Sequence, residues 1–283
     1  MKLKAVWDLL RLDHGIMYGV GVIVGAYVSS KSAPLDVIIL GFLTAFFLQA
    51  SAFALNDYID YEVDLRNNRL DRPLVRGDLK RSDALLLSVI LAPPGFAASY
   101  LIGFKAFLFA VLITVLGYLY NIKLKEYGIL GNFYIALSMA APFIFGGIIS
   151  TGFINKTILI LSVLAFLAGT AREIMKGIED VRGDVLRDVK SVARVKGIKF
   201  TSRLASIIFI LVLPVSFLPF FLIGEYMLDL KYIAPVILAD LILAKAALDL
   251  YSGKVEAKDI RKMRKNTMLA FALGLVGFIY GMF

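Results

Sequence analysis

Nine stretches of this chain are each apolar over about the length a helix needs to cross a bilayer. They run at 14–31, 36–59, 83–102, 104–122, 131–151, 156–178, 201–223, 231–250 and 265–283. A helix rises about 1.5 Å per residue, so about 20 apolar residues cover a hydrocarbon core of about 30 Å. Composition agrees: 59% of the 283 residues are hydrophobic and 19% are charged. A soluble domain averages about 45–50% and 25%. A soluble enzyme of one or two domains is excluded. The expected fold is an all-α integral membrane protein, with nine transmembrane helices in one domain over 1–283. The third stretch carries Pro93-Pro94. Neighbouring helices can satisfy the freed backbone groups in a membrane, so a kink is expected there rather than a break.

The net charge is +9. In a soluble protein that would point to nucleic acid. Here 26 of the 31 Lys and Arg fall at the N-terminus, in the loops after stretches two, four, six and eight, or in the ends of the stretches that adjoin those loops. The opposite loops hold only Lys31, Lys105, Lys156 and Lys231, while Lys245 lies inside stretch eight. Basic residues collect on the cytoplasmic side. The N-terminus and the four basic loops are therefore expected in the cytoplasm, the C-terminus outside, and no nucleic acid as partner. Charges recur through the first fourteen residues, so no cleavable signal peptide is expected. The absence of Cys excludes disulfides and thiolate chemistry, and a single His14 cannot build a multi-histidine metal site.

Two acidic clusters stand at the cytoplasmic ends of stretches two and six. The first reads Asn56-Asp57-x₂-Asp60-x₃-Asp64; the second reads Asp180-x₃-Asp184-x₃-Asp188. If the helices continue, Asn56, Asp60 and Asp64 follow one another at i, i+4, i+8 on one face, with Asp57 beside them, and Asp180, Asp184 and Asp188 repeat that spacing. Like charges so close, at the edge of a membrane, require a positive partner. Mg²⁺ fits, because it takes oxygen ligands and commonly one or two carboxylates with substrate phosphate oxygens. A solvated, charge-paired loop would account for one such cluster; two of matching depth point to a site. Cations are interleaved: Arg66, Arg69, Arg72 and Arg76 after the first, Lys176, Arg182 and Arg187 around the second, and Lys123 and Lys125 after stretch four. Guanidinium and ammonium groups bind phosphate oxygens, although the positive-inside rule explains many of these cations one by one. The combination points to a diphosphate bridged to the protein by metal.

These residues resemble the UbiA-type intramembrane prenyltransferases over essentially the whole chain. The first family motif, Asn-Asp-x₂-Asp-x₃-Asp with a following Arg and Arg-Pro, stands here as Asn56 to Asp64, then Arg69, Arg72-Pro73 and Gly77. The second is Asp180-x₃-Asp184 with Asp188 beyond, and the third is Tyr120 with Lys123 and Lys125. The resemblance implies a single bundle around a central cavity, capped by the cytoplasmic loops. It implies two Mg²⁺ ions, held by Asn56, Asp57, Asp60 and Asp64 and by Asp180, Asp184 and Asp188, with Asp60 and Asp184 the acids on which catalysis depends. It also implies an isoprenyl diphosphate donor, contacted by Arg72, Lys123, Lys125, Arg69 and Arg11. Family members ionise the allylic C–O bond and join the prenyl cation to an acceptor. Metal and cations stabilise the leaving diphosphate, and an apolar bundle keeps water from the cation.

The segment Ala171 to Asp184 resembles the archaeal lipid-forming branch of the family. Its members transfer geranylgeranyl from its diphosphate to the hydroxyl of geranylgeranylglyceryl phosphate. Lys176, Arg172 and Tyr120 are the corresponding candidates for acceptor contacts. The Arg-Pro that many members place at the start of span one is Arg11-Leu12-Asp13-His14 here, so an aromatic quinone precursor stays open as acceptor. His14, at a helix start, is expected to cap or pack. A CDP-alcohol phosphatidyltransferase would need an Asp-Gly-x₂-Ala-Arg segment that the chain lacks. A cation transporter would place its acids mid-span, where only Asp240 stands.

Overall fold

Every one of the nine apolar stretches folds as a helix. The computed structural model describes residues 3–186, 189–253 and 255–283. Among them the long helices are α2 (Leu12–Ser29), α3 (Leu35–Arg66), α4 (Arg81–Ile102), α5 (Phe104–Ile122), α6 (Ile129–Thr151), α7 (Lys156–Leu186), α9 (Ile198–Ser216), α11 (Leu230–Tyr251) and α12 (Ala257–Tyr280). Short helices α1 (Leu3–Leu10), α8 (Val192–Lys196) and α10 (Leu218–Leu222) complete the chain, with no strand among the described residues. The Pro93-Pro94 pair does not break α4. α3 and α7 run beyond their apolar stretches and carry the first acidic motif, and Asp180 and Asp184 of the second, as helix, so part of what reads as loop in the sequence is helical.

Seven helices are long and apolar enough to cross a membrane: α2 to α7, and α9 continued through Leu222. The expected count was nine. α11 falls short because Lys231, Asp240, Lys245 and Asp249 spread charge along its whole length. α12 falls short because its first turns hold Lys258, Asp259, Arg261, Lys262, Arg264 and Lys265, so its apolar run starts only at Met268. Along α5, Leu108, Leu112, Val115 and Leu119 form an exposed apolar stripe. A stripe of that kind suits lipid and would be a liability in water.

The chain forms two compact units, Met1–Leu124 with Ala141–Ile154, and Lys125–Ala140 with Asn155–Phe283. In the first, glycines let α2 and the second half of α6 touch through their backbones. A Cβ on Gly25 would stand 2.5 Å from the carbonyl oxygen of Phe143, and one on Gly146 would meet the backbone of Val22 and Ala26. Small residues at such crossings replace the hydrophobic drive that lipid removes. Hydrogen bonds add to this. The Ser51 hydroxyl of α3 donates to the Ser88 carbonyl of α4 at 2.8 Å and lies 3.0 Å from the Tyr118 hydroxyl of α5. Asn121 donates to the Ala52 carbonyl at 3.1 Å.

The second unit packs α7, α9, α11 and α12 around Ile174, Met175, Phe209, Leu243, Leu250 and Ile260. The mid-helix acid Asp240 is satisfied by the Ser216 hydroxyl at 2.6 Å, and the Tyr232 hydroxyl donates to the Ser216 carbonyl at 2.7 Å. Asp240 therefore ties α11 to the end of α9.

These contacts give a stability test. Gly146→Leu lowers the melting temperature of the detergent-solubilised protein by well over 5 °C, because the added side chain forces two backbones apart. Gly274→Ala, in α12 with nothing within 4 Å of the new methyl, leaves it unchanged or raises it slightly, since Ala favours helix by about 1 kcal/mol.

Candidate functional site

The site in the first unit is built where α3 runs past its apolar stretch. Asp57 and Asp64 are seven residues, about two turns, apart and so share a face; they are 2% and 3% exposed. Burying carboxylates this deeply requires charge partners. Asp57 has two. Arg11 Nη2 donates to its Oδ1 at 2.7 Å, and Arg72 Nη1 stands 3.3 Å from the same oxygen. Arg72 Nε faces Asp64 at 3.6 Å. The other Asp57 oxygen, Oδ2, is buried with no hydrogen-bond partner. Asn56 and Asp60 sit beside this pair, half-buried.

Local geometry puts both arginines there. Arg11 separates α1 from α2 in the left-handed region, φ 45° and ψ 55°, a conformation costing a non-glycine residue about 1–2 kcal/mol. Its contacts offset that: besides the ion pair, its guanidinium lies 4.3 Å from the centre of the Phe53 ring, one turn before Asp57. Arg72 comes from the segment between α3 and α4, where Arg76 donates to the carbonyls of Leu70 and Asp71 and pairs with Asp78 and with Asp8 of α1. Arg69 forms a two-pronged bond to Asp71 at 2.8 and 2.7 Å. That hydrogen bond, followed by the charge of Arg69, holds the Asp71 carboxyl below the usual carboxylate range. Their pairing contributes fully above the ordinary aspartate pKa of about 3.9 and fades only as pH falls through the lowered value.

A polar cleft of about 440 Å³ opens beside the clasp, lined by Trp7, Asp8, Arg11, Asp13, His14, Asp71 and Arg72. His14 packs its ring edge-on against Phe53 at 5.5 Å and bonds Asp13 at 3.1 Å, the packing role expected of it. Trp7, Asp8, Phe53 and Asp71 were not among the sequence candidates. Only Phe53, four residues before Asp57 on the same helix, carried a signal that could have found it.

The remaining candidates fall as follows. Tyr120 ends α5 and Lys123 caps it; Lys125 sits in a 3₁₀ turn, Leu124–Tyr127. In the second unit Asp180 is half-buried on α7, with no ion pair among the described residues. Asp188 and the side chain of Asp184 lie outside the described residues. Among the described residues no three His, Cys, Asp or Glu gather to hold a metal ion unaided. Asp57, expected among the metal ligands, is engaged by Arg11 and Arg72.

Comparisons with known proteins bear on this geometry. Residues 18–280 match the model of the UbiA prenyltransferase family. A digeranylgeranylglyceryl phosphate synthase of Archaeoglobus fulgidus is 56% identical over 282 residues, 99% of this chain and 96% of its own. The Sulfurisphaera tokodaii protein of the same name is 31% identical over 281 residues, 97% of this chain and 99% of its own. Among solved structures, one from work on digeranylgeranylglyceryl phosphate synthase superposes with a TM-score of 0.83 at 29% identity, over 99% of both chains. A UbiA homolog from Archaeoglobus fulgidus bound to GPP and Mg²⁺ has a TM-score of 0.69 at 17% identity, over 97% of this chain and 99% of that one; at that identity it speaks for the fold.

The clasp predicts a coupling. Arg11→Ala and Asp57→Ala each destabilise the protein by about 3 kcal/mol, the cost of leaving a buried charge short of its partner. The double variant loses less than the sum of the two. Denaturant unfolding of all four proteins measures the cycle.

Proposed function

Because the chain belongs to the UbiA prenyltransferase family, we propose that it transfers a geranylgeranyl group from its diphosphate to geranylgeranylglyceryl phosphate, giving digeranylgeranylglyceryl phosphate. The observation that carries this is the 56% identity, over nearly the full length of both chains, to a protein named for that product. The reaction breaks the allylic C–O bond of the donor and releases diphosphate; the acceptor hydroxyl attacks the resulting cation, forming the ether C–O bond and giving up its proton. We assign the chain one membrane domain of nine spans over 1–283, adding α11 and α12 to the seven apolar helices. Its N-terminus and basic loops face the cytoplasm, and its C-terminus lies outside.

Mg²⁺ suits the donor set of the first cluster. Asn56, Asp60 and Asp64 offer oxygen only, and Mg²⁺ takes one or two carboxylates with substrate phosphates rather than a ready-made protein cage. The absence of a three-acid cage among the described residues is thus compatible with it. The Oδ2 of Asp57 and the Nε of Arg72, both buried without a hydrogen-bond partner, leave polar groups at this helix end for a ligand to satisfy. Asn56, Asp60 and Asp64 would hold one ion; Asp180, Asp184 and Asp188 are assigned the second. Bound Mg²⁺ supplies charge neutralisation to the departing diphosphate. Arg72, Arg69, Lys123, Lys125 and Arg11 add donors to it. Asp57 acts on Arg11 and Arg72 as a positioning residue: a guanidinium has five N–H groups, so each can hold Asp57 and still reach a phosphate. The apolar helices take the isoprenoid chain and exclude water from the cation.

An acceptor panel tests the reading. With labelled geranylgeranyl diphosphate and Mg²⁺, the membrane protein prenylates geranylgeranylglyceryl phosphate; product from 4-hydroxybenzoate or a naphthoate alone would show it wrong. Topology has its own check, since the chain has no native Cys. One cysteine introduced at 190, after α7, reacts with a membrane-impermeant maleimide only when the cytoplasmic face is open to the reagent.

A further inference from the structure

The second unit contains a cationic cluster that the proposed diphosphate site does not use. Arg172 and Lys176 lie one turn apart on α7, and Arg261 and Arg264 come from the first turns of α12. Glu173 takes Arg172 Nη1 at 3.5 Å and Lys176 Nζ at 3.3 Å. Glu179 takes Arg261 Nη2 at 3.1 Å and Arg264 Nη1 at 2.9 Å. Among the described side chains, four cations thus share two carboxylates; Asp180, next along α7, pairs with none of them. Arg172 and Arg264 are close enough for their like charges to act on one another. Arg172 and Arg264 hold the more sheltered part of this surplus, while Lys176 and Arg261 lie toward open surface. The Arg172 side chain is 16% exposed, and the Nε atoms of both Arg172 and Arg264 are buried with no acceptor. Burying guanidinium N–H groups unmatched is costly, and two of them within electrostatic reach of one another would be answered by an anion.

We propose that Arg172, Lys176 and Arg264 seat the phosphate monoester of the acceptor lipid. The proposal rests on the phosphate-bearing acceptor of the proposed function and adds Arg264, from α12, to the two residues the sequence offers. Phosphate brings the missing negative charge and enough oxygens for both orphaned Nε groups. The guanidinium fork matches it in the two-pronged way it matches carboxylate. Arg261, 72% exposed, keeps Glu179 occupied while Arg264 turns to the ligand. A seat for the headgroup phosphate favours a glyceryl phosphate lipid over an acceptor that lacks phosphate. The phosphate of a bilayer lipid has related chemistry, so the test must separate the two.

The full-length protein in neutral detergent is titrated with a dialkylglyceryl phosphate and with the same dialkylglycerol lacking phosphate, and thermal unfolding is followed. The phosphate lipid stabilises the wild type; the alcohol does not. Arg172→Gln and Arg264→Gln each weaken phosphate-lipid binding about tenfold or more, and Arg172→Lys restores part of it. Glu179→Gln breaks the same ion pair as Arg264→Gln but leaves the cations, so it binds as wild type or tighter. Unchanged binding in both arginine variants overturns the proposal, as does a loss in Glu179→Gln equal to that in Arg264→Gln. Competition by phosphatidylglycerol at equal concentration overturns the acceptor assignment in favour of bilayer lipid. Binding requires no turnover, so a protein that binds the phosphate lipid but prenylates only aromatic acceptors keeps this site and loses the proposed function. Arginine variants that prenylate the phosphate lipid with unchanged KM lose the site and keep the function.

Discussion

A buried carboxylate shared between two arginines organises the functional end of the first unit. Asp57 is 2% exposed on a helix whose preceding turns are apolar, and Arg11 and Arg72 reach it from opposite directions in sequence. The clasp fixes the turn between α1 and α2 and secures the segment after α3 against α3. It also places two guanidinium groups at the edge of a polar cleft. Without those cations, the end of α3 would present Asp57, Asp60 and Asp64 together, and like-charge repulsion would oppose their burial. With them, the same helix end has the makings of a phosphate site: fixed cations, oxygen ligands and apolar helices behind.

Much of this was legible in the sequence, because the signals were local. Apolar run length located all nine long helices, and the i, i+4, i+8 spacing of Asn56, Asp60 and Asp64 puts them on one face only if the helix runs on past its apolar stretch, as α3 does to Arg66. Less legible were features that depend on distance through the fold. The Arg11–Asp57 pair joins residues 46 apart, and nothing near Arg11 names its partner. The family motif places Asp57 with the metal ligands; the structure adds that it is buried against two guanidiniums. Run length by itself passed over the charges of α11 and α12. Their apolar residues are real, but α11 is interrupted by charges throughout, and α12 begins with six charged residues among its first nine.

The second unit shows the same physics with a different balance. Glu173 and Glu179 are half-buried carboxylates answered by arginine and lysine, but here the cations outnumber the acids and two guanidinium N–H groups remain unmatched. In the first unit the unmatched charged groups are a carboxylate oxygen of Asp57 and the Nε of Arg72, which together call for a cation and an anion at one place. In the second the unmatched atoms are donors, which call for an anion. A metal-assisted diphosphate donor and a phosphate-bearing acceptor answer those two demands in turn.

The central claim is that the oxygen-bearing cluster at the end of α3 engages a prenyl diphosphate through a divalent cation. Direct binding of geranylgeranyl diphosphate to the detergent-solubilised protein, with Mg²⁺ and then with excess EDTA, tests it most directly when Asp60→Ala is run beside the wild type. The account predicts saturable binding by the wild type with Mg²⁺, and its loss both in EDTA and in Asp60→Ala. Full-affinity binding in EDTA, or by Asp60→Ala, would contradict it.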